Sequence, residues 1–155
     1  MGKKALRKSV EQLQKLFDFL GEYGGEIETN EPETWWTLDL EVEEVYDDKR
    51  DILIGVFTDL NGDIMYDPSV NLTITVKDGR IEKADILEFS NTTVFGTSVV
   101  DAEGNIHMNG VTEKAPQGLR GLFEEFMDII VEVGPYLTKP QNVTKYDKTL
   151  ADYHS

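Results

Sequence analysis

The sequence contains no cysteine and only two histidines, His107 and His154. Without thiols the chain can form neither disulfides nor zinc–thiolate or iron–sulfur centres. The histidines lie far apart and belong to no metal-ligand spacing, and no catalytic triad, phosphate-loop or dinucleotide-binding motif accompanies them. We therefore expect a non-enzymatic protein that needs no cofactor.

Long apolar runs and a signal sequence are also missing. No apolar stretch approaches the ~18 residues that a membrane-spanning helix needs. Residues 1–8 carry Lys3, Lys4, Arg7 and Lys8 but lack the apolar segment of a signal peptide. These absences predict a soluble cytoplasmic protein that does not bind membranes.

Basic residues are scarce, and they are scarcest where acids are densest. Lys and Arg number 15 against 30 Asp and Glu, which gives a formal net charge of −15. Between Glu22 and Asp48 the chain holds 11 carboxylates and no base. Such a field repels nucleic acid and acidic membranes and attracts proteins with a basic surface. The alternative is that the acidity serves only solubility.

Apolar residues recur at helical spacing near the N-terminus and again after Pro116. The first set predicts a helix that begins at a capping box of Ser9 and Gln12, leaves residues 1–8 frayed, and ends at Gly21. The second set predicts a helix over residues 116–133. Its predicted core-facing side chains are Leu119, Leu122, Phe123, Phe126, Ile129, Ile130 and Val133.

Between the helices, apolar and polar residues alternate with the period of two that is typical of strands buried on one side. Asn61-Gly62 and Asp78-Gly79 are hairpin-turn signals within this region, and Pro68 predicts the end of a strand or a bulge. Residues 26–32 are predicted as an acidic loop. The predicted strand segments are 36–43, 52–57, 64–66, 70–76, 81–89, 93–100 and 106–108.

These elements predict an α+β fold over residues 1–135: an antiparallel β-meander of five to seven strands, with an N-terminal and a C-terminal helix packed on one face. Residues 136–155 are predicted to be an extended C-terminal tail, held to the domain by Tyr136, Leu137, Tyr146 and Tyr153. An edge strand could pair with a second copy, so the oligomeric state stays open. The other sheet face is expected to be solvated and to hold Thr37, Asp39, Glu41, Glu43, Thr73 and Thr75.

The oxygen-bearing residues Asp59, Asn61, Asp63 and Asp67 have the spacing of the first ligands of a calcium loop. However, Ile64 and Val70 stand where such a loop has its glycine and its bidentate acid. A hairpin turn explains Asn61-Gly62 without a metal. We therefore predict no metal site and keep these four residues as the only candidates.

The segment Asn61-Gly62-Asp63-Ile64-Met65-Tyr66-Asp67-Pro68 resembles an N-G-D-apolar-Met-x-D-P pattern of small uncharacterised proteins carried by bacterial mobile elements and phages. The resemblance implies a setting, which is phage or mobile-element cargo in a bacterial host cell. It implies no activity and no functional residue.

The acidic segment predicts a function. On a strand, alternate residues such as Asp39, Glu41 and Glu43 lie about 6.6–6.8 Å apart and form a row of negative charge, comparable to successive phosphates of a nucleic-acid strand. We hypothesise that this row competes with nucleic acid for a basic protein surface, as an anti-CRISPR or anti-restriction inhibitor would. The alternative is an interaction or assembly module that uses apolar surface, such as Trp35 and the tail. The candidate partner-binding residues are Glu28, Glu31, Glu33, Trp35, Asp39, Glu41, Glu43, Glu44, Asp47 and Asp48.

Overall fold

The computed structural model describes residues 2–29, 36–60, 63–93 and 96–153, with the backbone alone described for 2–6, 59–60, 63–67 and 92–93. Helix α1 (Gly2–Leu20) comes first, α2 (Gly118–Met127) continues into a π-helical turn (Asp128–Val133), and α3 (Leu150–Tyr153) comes last. The strands are β1 (Gly24–Thr29), β2 (Thr37–Tyr46), β3 (Lys49–Leu60), β4 (Asp63–Lys77), β5 (Arg80–Thr93), β6 (Gly96–Val100), β7 (Asn105–Met108), β8 (Val111–Lys114) and β9 (Pro140–Lys145).

The strands form one antiparallel sheet in which β1 to β8 are neighbours in chain order and β9 returns to pair with β1. The predicted α+β meander is thereby confirmed, although the described residues form nine strands where five to seven were predicted. The sequence signals missed β1, β8 and β9. These strands are short and rich in glycine or polar residues, so their pairing depends on backbone hydrogen bonds and leaves no apolar alternation.

Both long helices cover the same side of the sheet, as predicted, and we call this side the core face. Leu13, Leu16 and Phe17 of α1 and Phe123 of α2 belong to one buried cluster with the inward residues of the strands. Burying side chains of this size stabilises the fold by about 1.5–3 kcal/mol each. The strand residues of the cluster include Ile27, Leu38, Leu40, Val42, Ile52, Ile54, Val70, Leu72 and Ile74.

The start of α1 differs from the prediction, because the helix begins at Gly2 and Ser9 and Gln12 are buried inside it. Neither residue caps a helix. Instead, the Gln12 Nε2 atom donates to Asp128 Oδ1 at 2.9 Å and to Glu132 Oε1 at 3.1 Å. Lys8 Nζ lies 3.3 Å from the same Asp128 carboxylate, so polar contacts join α1 to the π-helical turn.

The second helix also departs from its prediction at both ends. It begins at Gly118, two residues after Pro116, and changes to π-helical hydrogen bonding at Asp128. A π-helical turn closes hydrogen bonds from i to i+5 and therefore shifts the phase of the side chains. As a result Ile129 and Val133, which were predicted to be core residues, are 53% and 79% exposed.

Two turn predictions concern β4. The Asp78-Gly79 hairpin is confirmed, since both residues have positive φ, 54° and 78°, and Lys77 pairs with Arg80. Pro68 lies at a bulge within β4, because Gly55 pairs with Ser69 whereas Phe57 pairs with Tyr66. The turn at Asn61-Gly62 lies outside the described residues.

Two segments predicted without regular structure contribute strands. Residues 24–29 of the predicted acidic region form β1, and residues 140–145 of the predicted tail form β9, which pairs with it. The Tyr146 N–H continues this contact by donating to the Gly24 carbonyl oxygen at 3.0 Å. Tyr136 is buried in the core, and its burial raises the pKa of the phenol to about 12.

Glycines 24 and 79 provide a matched test of the pairing between β1 and β2. Both have positive φ, but a Cβ at Gly24 would overlap the Leu40 backbone, whereas a Cβ at Gly79 would meet no atom. We expect Gly79→Ala to lower the free energy of unfolding by about 1–2 kcal/mol, the cost of the left-handed conformation alone. Gly24→Ala should cost at least about 1–3 kcal/mol more, since β1 must move. Urea denaturation measures both values, and equal losses would contradict the register of β1.

Candidate functional site

The sheet face opposite the helices, which we call the outer face, is predominantly acidic. Residues paired directly across antiparallel strands share a face. The pairs Glu26↔Asp39, Glu41↔Leu53, Glu44↔Asp51, Asp51↔Thr73, Thr73↔Asp85 and Asn71↔Glu88 therefore place acids from β1, β2, β3 and β5 on one side. Among the side chains that the structure describes, the carboxylates of the outer face are Glu26, Glu28, Asp39, Glu41, Glu44, Asp51, Asp85 and Glu88.

Several bases compensate part of this charge. Lys49 and Lys83 lie opposite Thr75 on the same face, and Lys77, which alternates with Thr73 and Thr75 along β4, pairs there with Arg80. Lys148 of the C-terminal segment borders a small cavity next to Glu41. Lys83 pairs with Asp85 at 3.6 Å, while Lys49 Nζ donates to the Thr75 hydroxyl at 3.3 Å. Further ion pairs join Lys8 to Asp128 and Glu132, and Arg120 to Glu124, and these lie on the helical side of the molecule. The described carboxylates of the outer face still outnumber these bases, so the face keeps a net negative charge.

Hydrogen bonds from neighbouring strands hold two of these carboxylates in place. Asp51 Oδ1 accepts from the Tyr46 hydroxyl and from the Thr73 hydroxyl, each at 2.8 Å. Glu28 Oε2 accepts from Asn142 Nδ2 of β9 at 2.9 Å. The charges are therefore positioned by a rigid sheet and would lose little side-chain entropy on binding a partner.

Asp39 is the exception to the predicted solvated row, because it is only 2% exposed. The Tyr146 hydroxyl donates to its Oδ1 atom at 2.5 Å. Tyr146 follows β9, and with Leu150 of α3 it borders a small cavity next to Glu41. The expectation that Asp39 faces solvent is therefore wrong, since the C-terminal segment crosses the outer face at this point.

Burial also changes the charge of this group. Desolvation, opposed in part by the hydrogen bond from Tyr146 and reinforced by Glu41 and Glu26, raises the pKa of Asp39 to about 8. Its carboxyl is therefore mostly protonated at neutral pH. Desolvation together with Glu41 and Asp51 raises the pKa of Glu43, which occupies a bulge between Val42 and Glu44.

The structure brings only part of the predicted site together. Glu28, Glu41 and Glu44 lie on the outer face, Glu43 lies in its bulge, and Asp47 and Asp48 are exposed in the β2–β3 turn. Glu31, Glu33 and Trp35 lie outside the described residues. Glu26, Asp51, Asp85 and Glu88 also belong to the outer face and were not among the predicted site residues. The hairpin at Asp78-Gly79 and the alternation of β3 to β5 contain enough information to place Asp51 and Asp85 there.

The metal candidates Asp59, Asn61, Asp63 and Asp67 have side chains outside the described part, so their prediction stays untested. Among the side chains that the structure does describe, no group of His, Asp and Glu could hold a metal ion. None of the helices in the described ranges combines the length and apolarity that a membrane crossing requires.

Comparison of the chain with protein-family models, with curated proteins and with solved structures finds no match. The function therefore has to be inferred from the arrangement of its own residues.

Substitution of Asp39 tests its buried, protonated state. A pKa raised from 3.8 to about 8 means that the folded protein holds a proton that the unfolded chain releases. The proton retained on Asp39 therefore favours the folded state. This stabilisation is present in full below pH 4 and is lost as the pH rises towards 8. Asparagine does not ionise, so Asp39→Asn should not lose stability in this way. The Tm of the variant minus the Tm of the natural protein should therefore increase by several degrees from pH 4 to pH 8, since 1 kcal/mol corresponds to about 2–4 °C in a domain of this size.

Asp85→Asn is the matched control, because Asp85 lies on the same face but its side chain is 50% exposed. Its Tm difference from the natural protein should change little over the same pH range. Parallel pH profiles for Asp39→Asn and Asp85→Asn in thermal denaturation would contradict the buried state of Asp39.

Proposed function

We propose that the protein is a non-enzymatic inhibitor that binds, through its outer face, the basic nucleic-acid-binding surface of another protein. The observation that carries this proposal is the gathering of acids from four strands on one side of a rigid sheet, where they outnumber the bases Lys49, Lys77, Arg80 and Lys83. The protein performs no reaction in this role. It occupies Lys and Arg side chains that would otherwise contact phosphates.

The charge pattern differs from the single row along β2 that the sequence suggested. Asp39 is buried and mostly neutral at pH 7, so the negative surface extends across strands instead. Neighbouring strands are about 4.7–4.9 Å apart and alternate residues about 6.6–6.8 Å apart, which gives a two-dimensional lattice of charge. Such a lattice suits a broad basic surface better than one narrow groove.

The cost of this lattice to the fold is small. Two like charges 4 Å apart in water repel by about 1 kcal/mol, and salt reduces this further. The exposed acids can therefore be kept without losing the fold. Binding a basic partner would relieve the repulsion and release the counterions of both surfaces, which makes association dependent on salt.

The setting that we propose is the cytoplasm of a bacterial host, with the protein as phage or mobile-element cargo. The resemblance of residues 61–68 to proteins of such elements supports this setting. The natural targets there are host defence nucleases, which bind nucleic acid through basic surfaces. The specific form of the proposal is thus an anti-CRISPR or anti-restriction inhibitor.

An interaction module that uses apolar surface is the competing function. The exposed side chains of Ile129 and Val133 favour it, whereas the C-terminal segment does not provide a free arm, because β9 is part of the sheet. The two functions differ in how salt affects the affinity for the partner. Binding by charge mimicry weakens as the salt concentration increases, whereas binding through apolar surface does not.

The test is displacement of fluorescent duplex DNA from a panel of purified CRISPR and restriction nucleases, measured by anisotropy at low and moderate salt. The natural protein should displace DNA from at least one nuclease at low salt and much less at moderate salt. A variant with Glu28→Gln, Glu41→Gln and Glu44→Gln should lose displacement at least about tenfold, since each charge-assisted contact to a basic side chain contributes roughly 1.5–3 kcal/mol at most and the exposed ones less.

Glu22→Gln, Glu103→Gln and Glu113→Gln together form the control, because they remove the same charge from exposed residues of turns and of the edge strand β8. This variant should displace DNA nearly as well as the natural protein. Equal loss in both triple variants would show that only net charge matters, and failure to displace DNA from any nuclease of the panel at low salt would reject the proposal for those classes.

A further inference from the structure

A cleft of about 660 Å³ opens between the core face of the sheet and the end of α2. Trp36, Val56 and Phe89 form its sheet side, and Leu122 and Ile130 form its helical side. Binding sites for small molecules are typically apolar clefts of about 300–1,000 Å³ with a few polar groups. The volume and the lining of this cleft fall within that class.

The π-helical turn gives the cleft its open mouth. Because the turn shifts the phase of the helix, Ile129 and Val133 border the cleft instead of filling the core, and both are largely exposed. Gly134 ends the turn, with its N–H donating to the Ile129 carbonyl oxygen at 2.6 Å. Apolar side chains held exposed around a concave surface lower the free energy of the complex when a ligand covers them.

Asn91 supplies the polar group of the cleft. Phe89 and Asn91 are alternate residues of β5 and so point to the same side of the sheet. The Asn91 Oδ1 atom is buried and accepts no hydrogen bond from any residue that the structure describes. A buried amide oxygen without a donor costs about 1–3 kcal/mol. This atom is shielded from water in the unliganded protein, but the Asn91 side chain belongs to the lining of the cleft, so a turn of its amide would present the unpaired acceptor to a ligand that carries a donor.

The charge around the cleft limits the ligand further. Glu125 lies in the wall, where its Oε2 atom accepts from Gln117 Nε2 at 2.7 Å, and the lining includes no Lys or Arg among the described residues. The whole chain carries a net charge of −15. Anionic ligands are therefore disfavoured, while neutral and cationic ones are not.

We propose that this cleft binds a small neutral or cationic molecule with an apolar, ring-sized body and an O–H or N–H group that donates to Asn91 Oδ1. The apolar body contacts Val56, Leu122 and Ile130, and the donor satisfies the unpaired amide oxygen. This site lies on the face opposite the acidic carboxylates, so it is separate from the surface proposed to bind a partner protein.

Two isomeric probes test the site, 2-phenylethanol and ethyl phenyl ether. They have the same atoms, but only the alcohol has an O–H donor. Titration of the methyl resonances of Leu122, Ile130 and Val133 by NMR should show binding of both probes, with the alcohol bound roughly 2- to 10-fold more tightly, the value of one neutral hydrogen bond. Asn91→Leu should bind both isomers equally, whereas Asn71→Leu, on the outer face, should keep the preference.

Leu122→Trp provides a second variant that fills the cleft and should abolish binding of both probes while the circular dichroism spectrum is retained. Binding of both isomers with the alcohol preferred, and loss of that preference in Asn91→Leu, would support the proposal. Absence of methyl shifts with either probe up to its solubility limit would overturn it. So would a preference for the alcohol that persists in Asn91→Leu, or binding that survives in Leu122→Trp.

Discussion

The alternation of side chains along the strands is the constraint on which both faces of the molecule depend. Leu38 and Leu40 can enter the core only if Asp39 and Glu41 point to the other side, since successive residues of a strand alternate. Hydrogen bonding between strands then aligns these alternating sets across the whole sheet. The apolar core and the acidic face are thus two consequences of one register, and a slip by one residue would exchange them.

The register holds because the core is large and the charge repulsion is weak. Each buried aliphatic or aromatic side chain contributes about 1.5–3 kcal/mol, while a pair of exposed carboxylates costs about 1 kcal/mol or less. Among the outer-face acids whose side chains are described, only Asp39 is buried, and it would be costly as an anion. Burial raises the pKa of Asp39 to about 8, so the carboxyl stays mostly protonated and the cost of burying a negative charge is avoided. The hydroxyl of Tyr146 also donates a hydrogen bond to the buried group.

The elements of this fold that can be predicted from the sequence are those with a long, local pattern of residues. The stripes of α1 and α2, the alternation of β2 and β4, and the Asp78-Gly79 turn all have signals within about ten residues, and the structure confirms them. The strands β1 and β9 lack such a signal, because each is held by the other and by β2 rather than by its own apolar residues. The π-helical turn is likewise invisible in an apolar stripe, so Ile129 and Val133 were assigned to the core.

The candidate site follows the same division. The alternation of β2 is enough to predict that Glu41 points outwards. The burial of Asp39, in contrast, depends on its contact with Tyr146, which is 107 residues away along the chain. Cross-strand neighbours such as Asp51 and Asp85 require the register of three strands at once. Local sequence patterns therefore predict that the outer face is negatively charged. Only the assembled sheet shows how many strands contribute to that charge.

The two proposed surfaces share strands β3 and β5 but no side chains. Val56 and Phe89 line the cleft, while Asp51 and Asp85 lie on the outer face of the same two strands. Effects of substitutions on sites with no shared partners usually add within about 0.3–0.5 kcal/mol. Binding on one face could influence the other only by changing the twist or spacing of the common strands, which their backbone hydrogen bonds resist. The protein can therefore combine an electrostatic surface and an apolar cleft on one sheet, with each responding to its own partner.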